Sequence, residues 1–84
     1  MKTVKEIKHV KIKSDVARGL AWTDTGIIHI DTRLKGIEHL EILIHEILHI
    51  QNPRWSEMKI RGHSEEMAKL LWVQSYRRVD LDEK

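Results

Sequence analysis

Hydrophobic residues recur at a helical spacing in the second half of the chain. On a helical wheel of residues 37–50 they form one broad stripe, made of Ile37, Leu40, Leu43, Ile44, Ile47 and Leu48. Asp31-Thr32 can cap this helix, and Gln51-Asn52-Pro53 ends it because proline cannot continue the hydrogen-bond ladder. Ser56 is a good N-cap for a second helix that runs to about Tyr76. The short loop between the two predicts roughly antiparallel helices.

The first half of the chain has shorter apolar runs, which are typical of strands. Residues 4–13 alternate apolar and polar positions towards their C-terminal end. Leu20-Ala21-Trp22 and Ile27-Ile28-His29-Ile30 flank Thr23-Asp24-Thr25-Gly26, where aspartate and glycine favour a hairpin turn. The pattern therefore predicts an α+β fold, in which a small antiparallel sheet of about three strands packs on two long antiparallel helices. Residues 1–84 are expected to form a single domain.

Composition narrows the class of protein. The chain has no cysteine, which excludes disulfides and a structural zinc site built on cysteine. No apolar run approaches the length of about 20 residues that spans a bilayer, and residues 1–6 lack the apolar core of a signal peptide. We therefore expect a cytoplasmic protein without membrane contact. The formal net charge of +2 permits nucleic-acid binding but supports it only weakly. The oligomeric state does not follow from the sequence.

The first predicted helix contains the pattern His-Glu-x-x-His, at His45-Glu46-Ile47-Leu48-His49. Two histidines four residues apart project from one helix face, so both can bind one metal ion, and Glu46 beside them can accept a proton from water. The histidines fall opposite the apolar stripe with Ile42 next to them, which indicates a cleft rather than a merely solvated surface. Because the chain has six histidines, a chance match is the alternative. Zinc prefers such nitrogen ligands and tolerates an open position, as a hydrolytic site requires.

The second helix is expected to supply the third metal ligand, and the pattern leaves two main candidates. Glu57 falls on the inward face with Ile60, where a carboxylate needs a partner such as a metal, although it could also complement the helix dipole. His63 lies on the flank of that face and is the alternative, ahead of Glu65 and Glu66. Three further histidines are expected to be solvated rather than metal ligands, namely His9, His29 and His39.

The helix with His45-Glu46-x-x-His49 resembles the active-site helix of zincin metallopeptidases. A longer run looks like the small single-domain metallopeptidase-like proteins of phages and mobile elements, over roughly the C-terminal half of the chain. That run consists of residues 43–49, Pro53, Ser56-Glu57, Ile60, Ala68, Leu71-Trp72 and Tyr76-Arg77. This resemblance implies Glu57 as third ligand in a minimal gluzincin-like site. A weaker resemblance to SprT-like and WLM metallopeptidases implies His63 instead, in Gly62-His63-Ser64.

The resemblance implies a zinc-dependent peptidase with Zn²⁺ as cofactor and Glu46 as general base. Its substrate would be a peptide or protein that pairs with an edge strand, with Ile42 lining the substrate pocket. The main alternative is a zinc-binding regulatory or interaction module with weak catalysis or none. A nucleic-acid-binding domain and a metal-free helical interaction domain are further alternatives.

Overall fold

The computed structural model describes residues 2–79 and contains three strands followed by two helices. Their bounds are β1 Glu6–Val10, β2 Gly19–Trp22, β3 Ile27–Asp31, α1 Gly36–Gln51 and α2 Glu57–Val73. The predicted α+β class is confirmed. Within residues 2–79, no helix is long and apolar enough to cross a bilayer. Residues 80–84, a charged tail by sequence, lie outside the described residues.

The sheet is mixed and has the strand order β1-β3-β2. β2 and β3 form the predicted antiparallel hairpin, with Gly26 at a φ of 75° in its turn. β1 differs from the antiparallel expectation because it pairs in parallel with the other edge of β3. The apolar β3 is the central strand of the sheet, and both of its edges are paired. Residues 11–18 connect β1 to β2 across the end of β3.

The core has two parts, one between the sheet and α1 and one between α1 and α2. Ile28 and Ile30 of β3 are fully buried in the first part and pack with Leu34 and Ile50. A second cluster joins the two helices and consists of Ile44, Leu48, Ile60 and Ala68. α1 thus uses its apolar stripe against both the sheet and α2, which leaves its remaining face for polar side chains.

The start of α1 differs from the prediction. Lys35 is the N-cap residue and provides no side-chain capping bond, so the capping role expected of Asp31-Thr32 is wrong. Asp31 is instead fully buried, and its carboxylate binds Arg33 through Oδ1 to Nε at 2.8 Å and Oδ2 to Nη2 at 2.5 Å. A buried carboxylate needs such a partner more than the helix end does. At α2 the predicted cap is observed, since the Lys59 amide donates to Ser56 Oγ at 3.1 Å.

The Asp31–Arg33 pair predicts how stability depends on pH. The hydrogen bonds from Arg33 hold the pKa of Asp31 well below its usual range. Its stabilising contribution is therefore fully present above the usual aspartate pKa of about 3.9, and it is lost as the pH falls towards the lower pKa of the folded state. In urea unfolding, Asp31→Asn should be less stable than the wild type near neutral pH and should lose less stability on acidification. Asp24→Asn, in the exposed hairpin turn, is the control, and equal acid slopes for wild type and Asp31→Asn would contradict the assignment.

Candidate metal centre

α1 brings His45 and His49 together one helical turn apart. Their Nε2 atoms are 3.2 Å apart and their ring planes cross at 63°, so both rings point at one spot. The neighbouring residues Ile44 and Leu48 are buried between the helices and fix the rotation of α1. The two imidazoles therefore share the face of α1 that the core does not use.

Glu57 is the first residue of α2 and meets both histidines. Its Oε2 atom lies 3.0 Å from His45 Nε2, and its Oε1 atom lies 2.9 Å from His49 Nε2. The Glu57 side chain is 53% exposed, because it stands at the end of the inward face of α2 and not in the middle of it. The loop that Pro53 begins turns the chain back so sharply that the end of α1 and the start of α2 supply one cluster.

The structure does not bring the alternative ligand into this cluster. Among residues 2–79, His45, His49 and Glu57 form the single group of three side chains able to hold a metal ion. His63 is exposed, and its ring lies 4.9 Å from the Trp55 ring at an interplanar angle of 31°. His63 therefore contacts the Trp55 indole, away from the His45, His49 and Glu57 group.

The donor atoms suit a zinc ion in type and in spacing. Zinc bonds to nitrogen and oxygen of about 2.0–2.2 Å, at tetrahedral angles, separate the ligand atoms by about 3.3 Å. The two histidine nitrogens lie 3.2 Å apart, and each lies 2.9 to 3.0 Å from a different oxygen of Glu57, so a small outward movement makes room for an ion. With one atom taken from each residue, the ligand atoms lie within 4.8 Å of one another. Burial lowers the pKa of His45, against the opposing effect of the Glu57 carboxylate, and thus favours the neutral imidazole that binds metals.

Glu46 is the buried carboxylate of the centre. It is only 8% exposed, and burial together with the charge of Glu57 raises its pKa to about 7. Glu46 lies against β2, since a Cβ atom at Gly19 would stand 2.9 Å from Glu46 Oε2. Its carboxyl group therefore sits between the edge strand and the face of α1 that carries His45 and His49.

The metal centre opens into a cleft of about 350 Å³ along β2. The Asp31 amide donates to the Arg18 carbonyl, and Leu20 stands opposite His29, so alternate residues of β2 bond to β3. In an antiparallel pair, this register directs the N–H and C=O groups of Gly19 and Ala21 to the open edge. Residues from both sides line the cleft, namely Gly19, Leu20, Ala21, Thr23, His45, Glu46, His49 and Glu57.

Ile42 takes a different place from the substrate pocket predicted for it. Its side chain is half-buried and packs against the core cluster of Ile28 and Ile30. A Cβ atom at Gly19 would lie 2.9 Å from Ile42 Cγ2, and Ile42 is not among the residues that line the cleft. Ile42 therefore sets how closely α1 approaches β2.

Gly19 is a residue of the site that the hydrophobic pattern did not indicate. A side chain there would collide with Glu46 on one side and Ile42 on the other, each at 2.9 Å. Glycine is thus the residue that allows α1 to lie directly under the edge strand. The one signal in the sequence is a glycine at the start of a strand, which often marks a close approach of neighbouring groups.

Gly19→Ala should destabilise the protein by about 1–3 kcal/mol, because the new methyl group overpacks the contact between β2 and α1. Gly62→Ala is the matched control, since a Cβ atom there meets nothing within 4 Å. In a helix interior that change should stabilise by about 0.5–1 kcal/mol. Urea unfolding of both variants measures the change in the free energy of unfolding, which should have opposite signs. A Gly19→Ala variant as stable as the wild type would show that β2 and α1 are less closely packed.

Comparison of the chain with protein-family models, with curated proteins and with solved structures finds no match. The resemblance to zincin metallopeptidases therefore stays a prediction from the motif. What can be inferred about function depends on the geometry of the metal centre itself.

Proposed function

We propose that this chain is a zinc-dependent metallopeptidase in which His45, His49 and Glu57 bind the ion. The observation that carries the proposal is the convergence of two imidazole nitrogens and one carboxylate, at 2.9 to 3.2 Å, from two different helices. Glu46 follows His45 directly and contributes a buried carboxylate to the same cleft. Two histidines and a carboxylate with an open fourth position are the ligand set of hydrolytic zinc sites.

Zinc, when bound, supplies the Lewis acidity that activates water for attack on a carbonyl carbon. Glu46 is the general base of the proposed reaction, because its carboxylate lines the cleft and can accept a proton there. The same group, once protonated, can return the proton to the leaving nitrogen of the peptide bond. Its burial limits competition from bulk water for this proton.

An extended peptide or protein segment is the proposed substrate. The outward N–H and C=O groups of Gly19 and Ala21 can pair with such a segment as a further strand. This pairing would align the scissile bond along the cleft, next to His45 and Glu46. Main-chain pairing recognises the peptide backbone rather than particular side chains, so we expect broad sequence tolerance.

A zinc-binding interaction module without catalysis is the second candidate, and one observation favours it. Among the described residues that line the cleft, none is a lysine or arginine that could stabilise a developing oxyanion. Tyr76 and Arg77, which could donate hydrogen bonds to an oxyanion, line a different groove of the molecule. Catalysis would then depend on zinc, on backbone donors or on Arg61, whose Nη2 atom lies 3.7 Å from Glu57 Oε2 just outside that lining.

The direct test is the metal content of the purified protein after reconstitution with zinc. We expect about one zinc per chain in the wild type and in His63→Ala, and a large loss in Glu57→Ala, because only Glu57 contacts both histidines. If His63→Ala loses zinc and Glu57→Ala keeps it, His63 and not Glu57 is the third ligand. A wild type that binds no zinc would overturn the proposal.

A further inference from the structure

A second groove lies beneath β1, near the N-terminal end of α1. α1 packs against β2 and β3, whereas the backbone of β1 stands away from both helices within residues 2–79, and His9 reaches α1 through its side chain. The inner face of β1 is therefore open, and Ile7 is 40% exposed. The space enclosed is about 430 Å³, and pockets that bind small molecules measure about 300–1,000 Å³.

The walls of this groove are apolar, and the charged groups that reach it are all basic. Ile7, Leu40, Leu43 and Trp72 form much of its surface. An adjoining hollow of about 250 Å³ continues it past Lys35. No aspartate or glutamate of residues 2–79 lines either space. Among the described residues, an apolar cavity whose charged lining groups are all basic suits a ligand that is both apolar and anionic.

Two arginines at the mouth of the groove differ in their contacts. Arg77 stacks on the Trp72 ring at 3.5 Å, and its Nη1 atom donates to the carbonyls of Trp72 and Tyr76 at 2.9 Å. Arg78 also lines the groove, and within residues 2–79 it has no carboxylate in salt-bridge distance. Arg77 thus closes one wall, and Arg78 offers a guanidinium to a ligand.

A pair of histidines lies beside Arg78. His9 Nε2 and His39 Nε2 are 3.0 Å apart, the rings are within 11° of parallel, and their centroids are 5.2 Å apart. This head-to-head arrangement fits one N–H···N hydrogen bond, in contrast to the crossed rings of His45 and His49. Burial first, and then the charge of Arg78, lower the pKa of both His9 and His39.

We propose that this groove binds an amphiphilic carboxylate, a small molecule with an apolar body and one carboxylate group. The apolar body would lie against Ile7, Leu40 and Leu43, and the carboxylate would pair with Arg78. A guanidinium matches a carboxylate in planar, two-bond geometry. A neutral apolar ligand would leave the basic groups uncompensated, and a small inorganic anion would leave the apolar walls wet. This site is separate from the metal centre and does not depend on peptidase activity.

Isothermal titration calorimetry with octanoate, 1-octanol and acetate tests the proposal on the full chain. Octanoate should bind at least about tenfold more tightly than 1-octanol, and acetate should not bind measurably, because both halves of the ligand contribute. Arg78→Gln should weaken octanoate binding about tenfold, with an unchanged circular dichroism spectrum. The exposed Lys11→Gln, which removes the same charge outside the groove, should retain wild-type affinity.

Three results would overturn this proposal. Equal affinity for octanoate and 1-octanol would reduce the groove to a purely apolar surface. Equal losses in Arg78→Gln and Lys11→Gln would show a general effect of net charge. A stable dimer in sedimentation that excludes octanoate, and that Leu40→Lys dissociates, would assign the groove to a second copy of the chain. None of these results affects the zinc test, so the two proposals fail independently.

Discussion

Glu46→Gln is expected to slow peptide cleavage by at least about a hundredfold and to leave zinc binding intact. The substitution keeps the shape of the side chain but removes the carboxylate that accepts a proton in the cleft. General base catalysis contributes about 10²–10⁴-fold to a rate, so the turnover number of the zinc-loaded protein should fall by that factor. Hydrolysis of unstructured fluorogenic peptides by the zinc-loaded wild type and variant provides the measurement.

The control for this experiment is Glu41→Gln, also on α1 but outside the cleft, which should cleave peptides at the wild-type rate. Zinc content must be equal in all three proteins, so that a lost rate reports the base and not the metal. A zinc-loaded wild type that cleaves no peptide would favour the interaction module. Full activity in Glu46→Gln would place the general base elsewhere.

Zinc should stabilise the folded chain strongly, and His49→Ala should remove most of this effect. The proposed ligands come from α1 and from the first residue of α2, so an ion can bind all of them only in the folded state. Free zinc at about a thousand times its dissociation constant then adds about 4 kcal/mol to the free energy of unfolding. For a domain of 84 residues with a small core, that is a large fraction of total stability.

Urea unfolding with saturating zinc and with excess chelator measures this difference. His63→Ala is the control, because its exposed ring stacks on Trp55 and lies outside the ligand group. It should show the same gain from zinc as the wild type. An equal gain in His49→Ala would mean that zinc binds the chain somewhere other than the proposed centre.

The sequence alone determined the two helices and the pair of histidines. Hydrophobic periodicity, the helix stop at Pro53 and the N-cap at Ser56 all depend on residues close together in the sequence. The observed bounds of α1 and α2 therefore fall close to the expected ones. The common direction of His45 and His49 follows from their spacing on one helix. Both features depend on contacts within a single helix, so they can be derived without knowledge of the packing.

The positions of the candidate third ligands relative to the two histidines needed the tertiary structure. Glu57 and His63 both lie on or near the inward side of α2, and the pattern of the helix does not separate them. The loop between the helices brings the first residue of α2 onto the end of α1, so Glu57 meets both histidines and His63 stacks on Trp55. The geometry of that loop depends on how the two helices pack.

The arrangement of the sheet and its contact with α1 were also decided only by the tertiary structure. β1 pairs in parallel with β3, Asp31 binds Arg33 instead of capping α1, and Gly19 lies against Glu46. Each feature depends on which strand takes the centre of the sheet and on how closely α1 approaches its edge. The strand pairing and the Gly19 contact join groups far apart in the sequence, and the local Asp31–Arg33 pair depends on the burial of Asp31, which local periodicity does not encode.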